Sequence, residues 1–254
     1  MRFKLTLKVL SDSLKCSIPI NYHYELSAAI YKILASSDVA YAEWLHDNGF
    51  NCDTKRFKLF TFSDLVVPRY ELDRDRGRMN IVSSEIYWYL GFLPEKSTKQ
   101  FIKGLFQEQT FRLCDKDSGV DFRITDVEIL PGMPEGAEMF ATLSPVCVSM
   151  RQGPGPSVYL SPESPYYKTG LLVGLLARYK AFFGKEYEGE VYCDFKVLDN
   201  PRSVLLKIKA GTPQQTFVRG YRYRFALRLP DPLMWIAYES GLGEKGSLGF
   251  GMFK

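Results

Sequence analysis

Hydrophobic and polar positions alternate from the first residues of the chain. Phe3, Leu5, Leu7 and Val9 share one parity, while Arg2, Lys4, Thr6 and Lys8 share the other, the period-two pattern of a half-buried strand. Pro19 and Asn21 punctuate, and Leu26, Ala29, Ile30, Ile33 and Leu34 then recur at helical spacing, predicting a helix over 25–35. A second helical stretch follows over 41–46. The segments 57–67 (FKLFTFSDLVV) and 79–90 (MNIVSSEIYWYL) are rich in β-branched and aromatic residues, and with DRDRGR between them they predict a hairpin. A helix over 97–109 with the stripe Phe101, Ile102, Leu105 and Phe106, then a strand over 120–130, complete the order β-α-β-β-α-β.

The segment 131–138, PGMPEGAE, holds two Pro and two Gly and marks a domain boundary. Beyond it the pattern predicts a strand over 140–150, a helix over 164–183, and strands over 190–197 and 204–209. The most regular alternation of the chain follows at 217–229 (FVRGYRYRFALRL). Pro232 suits a first helical turn, so 231–240 reads as a helix capped by Asp231 and ended by Gly241, with a last strand over 250–253. The order roughly repeats that of the first half without a residue-level repeat. The expected class is α+β, two tandem ferredoxin-like (βαββαβ) domains over 1–131 and 138–254.

Composition narrows the picture. The chain has 254 residues, 46% apolar and 24% charged, values of an ordinary folded protein. No run approaches the eighteen or so uncharged apolar residues of a membrane span, and the charged start MRFKLTLKVL is no signal peptide. Five scattered cysteines (Cys16, Cys52, Cys114, Cys147, Cys193) form no CxxC pair, so disulfides and structural zinc are not expected and a reducing cytoplasm fits. A net charge of +4 argues for nothing alone, but Arg202, Lys207, Lys209, Arg219, Arg222, Arg224 and Arg228 form a basic block without Asp or Glu.

Only His23 and His46 are present as histidines, so a reaction needing a group that titrates near neutrality has two obvious candidates. His46 lies in EWLHDNGF, past a helical stretch and before a Gly-containing loop, whereas His23 precedes the first helix between two tyrosines. Two distant histidines without clustered cysteines or carboxylates offer no metal-ligand framework, and the acidic run 186–190 (EYEGE) reads as a solvated loop. In the basic block, strand alternation would place Tyr221, Tyr223 and Phe225 on one face and Arg222 and Arg224 on the other. With Lys207, Lys209 and Arg219, that cationic face is either a phosphate platform or a plain amphipathic hairpin. Gly241, Gly243, Gly246, Gly249 and Gly251 crowd the last residues with Lys245 and Ser247 between them. Such a loop can offer backbone N–H groups to phosphates or can be a turn without a ligand; it fits neither a Walker loop nor a dinucleotide fingerprint.

Taken in order, MRFKLTL, ELSAAIYKIL, EWLH, KLFTFSDL, TLSPVCV and GLGEKGSLGFGMF span almost the whole chain. It thereby resembles the CRISPR repeat-processing endoribonucleases of the Cas-six type, within the repeat-associated proteins that carry a C-terminal glycine-rich loop. The resemblance implies two ferredoxin-like domains, binding of CRISPR repeat RNA, and one metal-independent cut without a cofactor. It matches the family's catalytic residues to Tyr31, His46 and Lys58, with Lys55 or Arg56 as alternative sources of the cation because NCDTKRF intervenes. It matches RNA contacts to the loop around Gly241, Gly243, Lys245, Gly246, Ser247 and Gly249. Attack of a ribose 2′-hydroxyl on the neighbouring phosphate needs a proton acceptor, a proton donor and a cation, which these residue types supply. The sequence does not assign base and acid between His46 and Tyr31. It leaves open a non-catalytic guide-RNA-binding subunit of an effector complex, and whether two copies of the chain associate.

Overall fold

The computed structural model describes residues 1–10, 17–115, 118–151 and 153–254. Strand Arg2–Val9 is the middle of a five-stranded antiparallel sheet, in the order Phe60–Phe62, Glu85–Phe92, Arg2–Val9, Gly119–Ile129, Thr110–Cys114. Phe3, Leu5 and Leu7 are fully buried in one core with residues of helices His23–Ser37 and Glu95–Gln107. These helices pack closely: a Cβ on Gly104 would lie 1.9 Å from the Ile33 carbonyl oxygen.

The second half repeats this plan. Strand Arg224–Arg228 pairs with Met139–Ala141 on one side and Asp194–Val197 on the other, and helices Tyr167–Phe183 and Asp231–Ser240 contribute to the core beneath. Residues 250–254 run beside Met139–Ala141 through the Thr142–Phe253 bridge and reciprocal Ala141–Lys254 bonds of 2.7 and 2.9 Å. In both halves the fourth strand flanks the first, the first flanks the third, and the third flanks the second. The architecture is thus α+β with ferredoxin-like units in tandem. One core lies within the first half, the other gathers the second half together with Leu59 and Leu93 of the first, and 131–138 between the halves holds no helix or strand.

Several expectations are corrected. The hairpin over 57–67 and 79–90 is shorter: Phe60–Phe62 pairs with Glu85–Phe92, whereas Arg78–Ile81 joins Tyr70–Asp73 and Ser17–Pro19 in a separate small sheet. Strand Thr110–Cys114 was not anticipated, and Phe106 is 77% exposed rather than part of the apolar stripe. The predicted strand over 140–150 survives only as Met139–Ala141 and Ser149–Met150. The long alternation over 217–229 breaks at Tyr223, whose buried hydroxyl bonds that of Tyr167 at 2.8 Å. Before the break, Thr216–Arg222 pairs with Arg202–Ile208 as a hairpin. Helix Asp231–Ser240 has its expected bounds, but Pro230 is the cap and no side chain caps the first turn.

The halves are joined by buried polar contacts. Arg2, on the polar parity of its strand, is only 2% exposed because its guanidinium donates to the carbonyls of Tyr238 and Phe253. Thr61 Oγ1 donates to the Phe250 carbonyl at 2.9 Å.

Candidate functional site

The first helix and the second, Val39–Asp47, bring Tyr31 and His46 together. Their rings meet edge-on, with centroids 5.1 Å apart at 82°, and Tyr31 also rests against Phe60 at 5.7 Å. His46 occupies the last turn of its helix, its side chain 67% exposed and its Nδ1 2.7 Å from Asp47 Oδ1. Helix entry is fixed by Asp38, which accepts from Tyr41 N at 2.9 Å.

Gly49 then turns the chain with φ +63°; a Cβ there would lie 2.5 Å from the Phe57 carbonyl oxygen and 3.1 Å from Lys58 Cδ. The short hairpin of Phe50–Cys52 and Lys55–Phe57 returns beside the helix end, and Lys58 Nζ donates to the His46 carbonyl. Arg56 donates to the Asp47 carbonyl at 2.9 Å. The three matched residues therefore converge on one helix end, with Lys55 and Arg56 on the same hairpin. Leu59 follows at φ +55°, a conformation that costs a non-glycine residue about 1 kcal/mol.

Burial, reinforced by Asp47 and Tyr41, pushes the Tyr31 phenol well above its usual range. Its proton is thus held, and Tyr31 is suited to donate or orient rather than to serve as an anion. Burial lowers the Lys58 ammonium, partly offset by Asp47.

Lys58 and the hairpin before it, though not Tyr31 or His46, line a cleft of about 590 Å³ shared with the glycine-rich ending, with Lys55, Arg56, Arg151, Lys245 and Ser247 among its walls. Much of the glycine content here serves packing. A Cβ on Gly246 would lie 2.7 Å from the Phe60 carbonyl oxygen, one on Gly241 2.9 Å from Thr61 Oγ1, and one on Gly249 2.4 Å from the Phe62 ring. Gly243, at φ +71°, would meet the Cys147 carbonyl oxygen at 2.2 Å. Buried Arg178 holds the loop by donating to the carbonyls of Gly241 and Gly243, and Glu244 accepts from Ser149 N at 3.0 Å. The amides of Leu242, Glu244, Leu248, Gly249 and Gly251 are already bonded within the protein. What the loop offers the cleft is foremost the exposed Lys245 side chain, with Ser247 beside it. Arg151 was missed in sequence, where only the turn-rich RQGPGP around it marks a loop.

The basic block does not act as one face. Cross-strand pairs Leu205–Arg219 and Lys207–Phe217 place Lys207 and Arg219 together, with Lys207 Nζ 5.8 Å from the Phe217 ring. Arg222 falls on the opposite parity and ion-pairs with Asp64 of the first half, which also takes His23 Nε2 at 2.9 Å. Lys209 stands past the strand end at φ +53° and donates to Gln214, and Arg224 pairs with Asp199 at 3.3 Å. Of the two readings of the basic block, a single cationic platform is not what the fold builds: the break at Tyr223 and the Asp64 partner divide it.

His23 is the first residue of its helix, not a residue preceding it, and is 4% exposed. Burial and then Arg222 lower its pKa to about 3. It is neutral near pH 7 and is removed as an acid–base candidate. Among the described residues no group of three or more His, Cys, Asp or Glu could hold a metal ion, and no helix is long and apolar enough to cross a membrane.

Tandem ferredoxin-like units closed by a C-terminal glycine-rich loop define the class of repeat-associated proteins, the RAMPs. The chain belongs to the Cas6 family: residues 17–128 match the model described as CRISPR-associated protein Cas6, N-terminal, and residues 130–254 match CRISPR associated protein Cas6, C-terminal. It is 28% identical over 239 residues to CRISPR-associated endoribonuclease Cas6 1 of Methanocaldococcus jannaschii, covering 92% of this chain and 86% of that protein. It is 26% identical over 256 residues to CRISPR-associated endoribonuclease Cas6 of Pyrococcus furiosus, covering 100% and 89%. Its fold matches that of a RAMP protein binding different RNA substrates with a TM-score of 0.81 at 23% identity, covering 100% of this chain and 98% of the other.

Proposed function

We propose that the protein is an endoribonuclease that binds the repeat of precursor CRISPR RNA and cuts it once, without a metal, by 2′-hydroxyl attack. Residues 1–131 form the domain that carries the cutting residues, and 138–254 form the domain that carries the basic hairpin and the glycine-rich loop. The observation that carries this reading is the meeting of Tyr31, His46 and Lys58 at one helix end beside a cation-lined cleft. The endoribonuclease names of relatives aligned along nearly the whole chain support it.

In this mechanism the exposed imidazole of His46 exchanges the proton, the role that histidine side chains most often fill in acid–base catalysis. Tyr31, kept protonated by its burial, orients the reacting oxygen by hydrogen bonding. Lys58 leaves the His46 carbonyl to face the charge that builds on the phosphorane. Lys245, Arg151 and Arg56 hold phosphates on either side of the cut. Attack forms the O2′–P bond and breaks the P–O5′ bond, so the products are a 2′,3′-cyclic phosphate and a 5′-hydroxyl.

Repeat RNA incubated with the protein in excess chelator is expected to give one cut with these ends, identified by mass. Intact RNA bound to the protein would favour the guide-binding role instead, and cutting only with added metal would overturn the mechanism.

A further inference from the structure

A second feature lies on the other flank of the helix that carries His46. Trp44 precedes His46 by two residues, and two residues turn a helix by about 200°, so the side chains leave opposite flanks of the same turn. The Trp44 flank opens on a separate cavity of about 620 Å³, lined by Tyr41, Trp44, Phe50, Lys96 and Phe182 among others. The Trp44 ring is stacked on Tyr41, with centroids 5.6 Å apart at 25°, and is steadied edge-on by Phe50 at 5.3 Å. It is nevertheless 38% exposed. Lys96 Nζ sits 4.5 Å from the Tyr41 ring centre without a carboxylate partner among the described residues. Two acids also line the cavity, and both are engaged: Asp38 accepts from Tyr41 N and Gln100, and Glu95 pairs with Lys99 at 2.6 Å. Flat rings, a cation held only by a ring face and occupied carboxylates suit an aromatic base carrying a phosphate.

We propose that this cavity is a subsite for one unpaired nucleobase of the bound RNA, stacked on Trp44 with its phosphate near Lys96. The inference rests on the RNA-cutting function proposed above and extends it to position-specific recognition. The two flanks are separated by about one helix diameter, ~10 Å, which a stacked strand rising ~3.4 Å per nucleotide crosses in about three nucleotides. The recognised base therefore lies about three nucleotides from the cut. A bare apolar surface for a protein partner would not distinguish among RNA positions, whereas a stacking subsite must.

The test uses repeat RNA with a 2′-deoxyribose at the cut, so that binding is measured without cleavage, and with single abasic nucleotides scanned along it. Trp44→Leu is expected to weaken binding about five- to a hundredfold, the worth of one base–aromatic stack. Trp44→Phe, which keeps a ring, should retain most of the affinity. One abasic position about three nucleotides from the cut should weaken wild type by a similar factor and cost Trp44→Leu nothing further. Wild-type affinity in Trp44→Leu, or an abasic scan of wild type without a distinct position, overturns the subsite. The wild-type scan decides even if Trp44→Leu does not fold. Wild type that fails to bind repeat RNA at all would instead sink the proposed function.

Discussion

Each of the two histidines sits beside an aspartate and an arginine or lysine, yet they do opposite things. His46 ends a helix in the open, with Asp47 on its imidazole and Lys58 on its carbonyl. His23 is enclosed by Tyr22, Phe62 and Phe250, with Asp64 and Arg222 beside it. Similar polar partners thus yield a site in water and a junction between halves in the core. The difference is burial: desolvation holds His23 neutral near pH 7, and the half-buried Asp64 takes its cation from Arg222 instead. Residue type nominates a histidine for chemistry, and exposure decides whether it can act.

The partners of each histidine give ways to break or sharpen this contrast. Among these partners the largest effect is expected from Lys58→Ala, which removes the cation facing the phosphorane and should slow single-turnover cleavage about 10²- to 10³-fold with little loss of RNA affinity. Arg222→Ala leaves the half-buried Asp64 without its cation and should lower unfolding free energy by about 1–3 kcal/mol. Denaturant titration checks this, and RNA affinity should fall less than in the double variant Lys207→Ala, Arg219→Ala. Tyr31→Phe removes one hydrogen bond and should slow cleavage about tenfold. Because burial raises the Tyr31 phenol, the wild-type rate should show no inflection from its ionisation at or below pH 10.

The last effect is a slope rather than a single value. The His23 pKa falls from 6.5 to about 3 on folding, so below 6.5 the unfolded chain takes up a proton that the folded one refuses. This contribution to stability is fully present above pH 6.5 and is lost as pH falls toward 3, at up to about 1.4 kcal/mol per pH unit. Wild type should therefore lose more stability than His23→Gln between pH 6 and pH 4, measured as the difference in unfolding free energy.

Much of the fold was legible because local signals agreed with tertiary demands. The alternation of Phe3, Leu5 and Leu7, and the bracketing of 231–240 by Pro232 and Gly241, needed no knowledge of distant residues. Strand Thr110–Cys114 escaped because alternation over five residues is short and abuts a helix end. The division of the basic block escaped for a different reason. The partner of Arg222 is Asp64, far away in the chain, and no local period encodes a pairing between halves. Tyr31, His46 and Lys58 were nominated through family resemblance, and their chemistry made the set plausible, but their convergence depends on Gly49 folding the hairpin back on its helix. The glycines of the ending were noticed for phosphate binding, yet their close approach to Phe60–Phe62 is what the fold requires of them.

The most direct test places both histidine variants in one experiment: His46→Ala and His23→Ala, each assayed for repeat-RNA binding, single-turnover cleavage in chelator, and thermal unfolding. The account predicts that His46→Ala melts and binds like wild type but cuts about 10²- to 10⁴-fold more slowly. His23→Ala should melt at a lower temperature, while its folded fraction cuts near the wild-type rate. Wild-type cutting by His46→Ala, or loss of cutting in a fully folded His23→Ala, would contradict it.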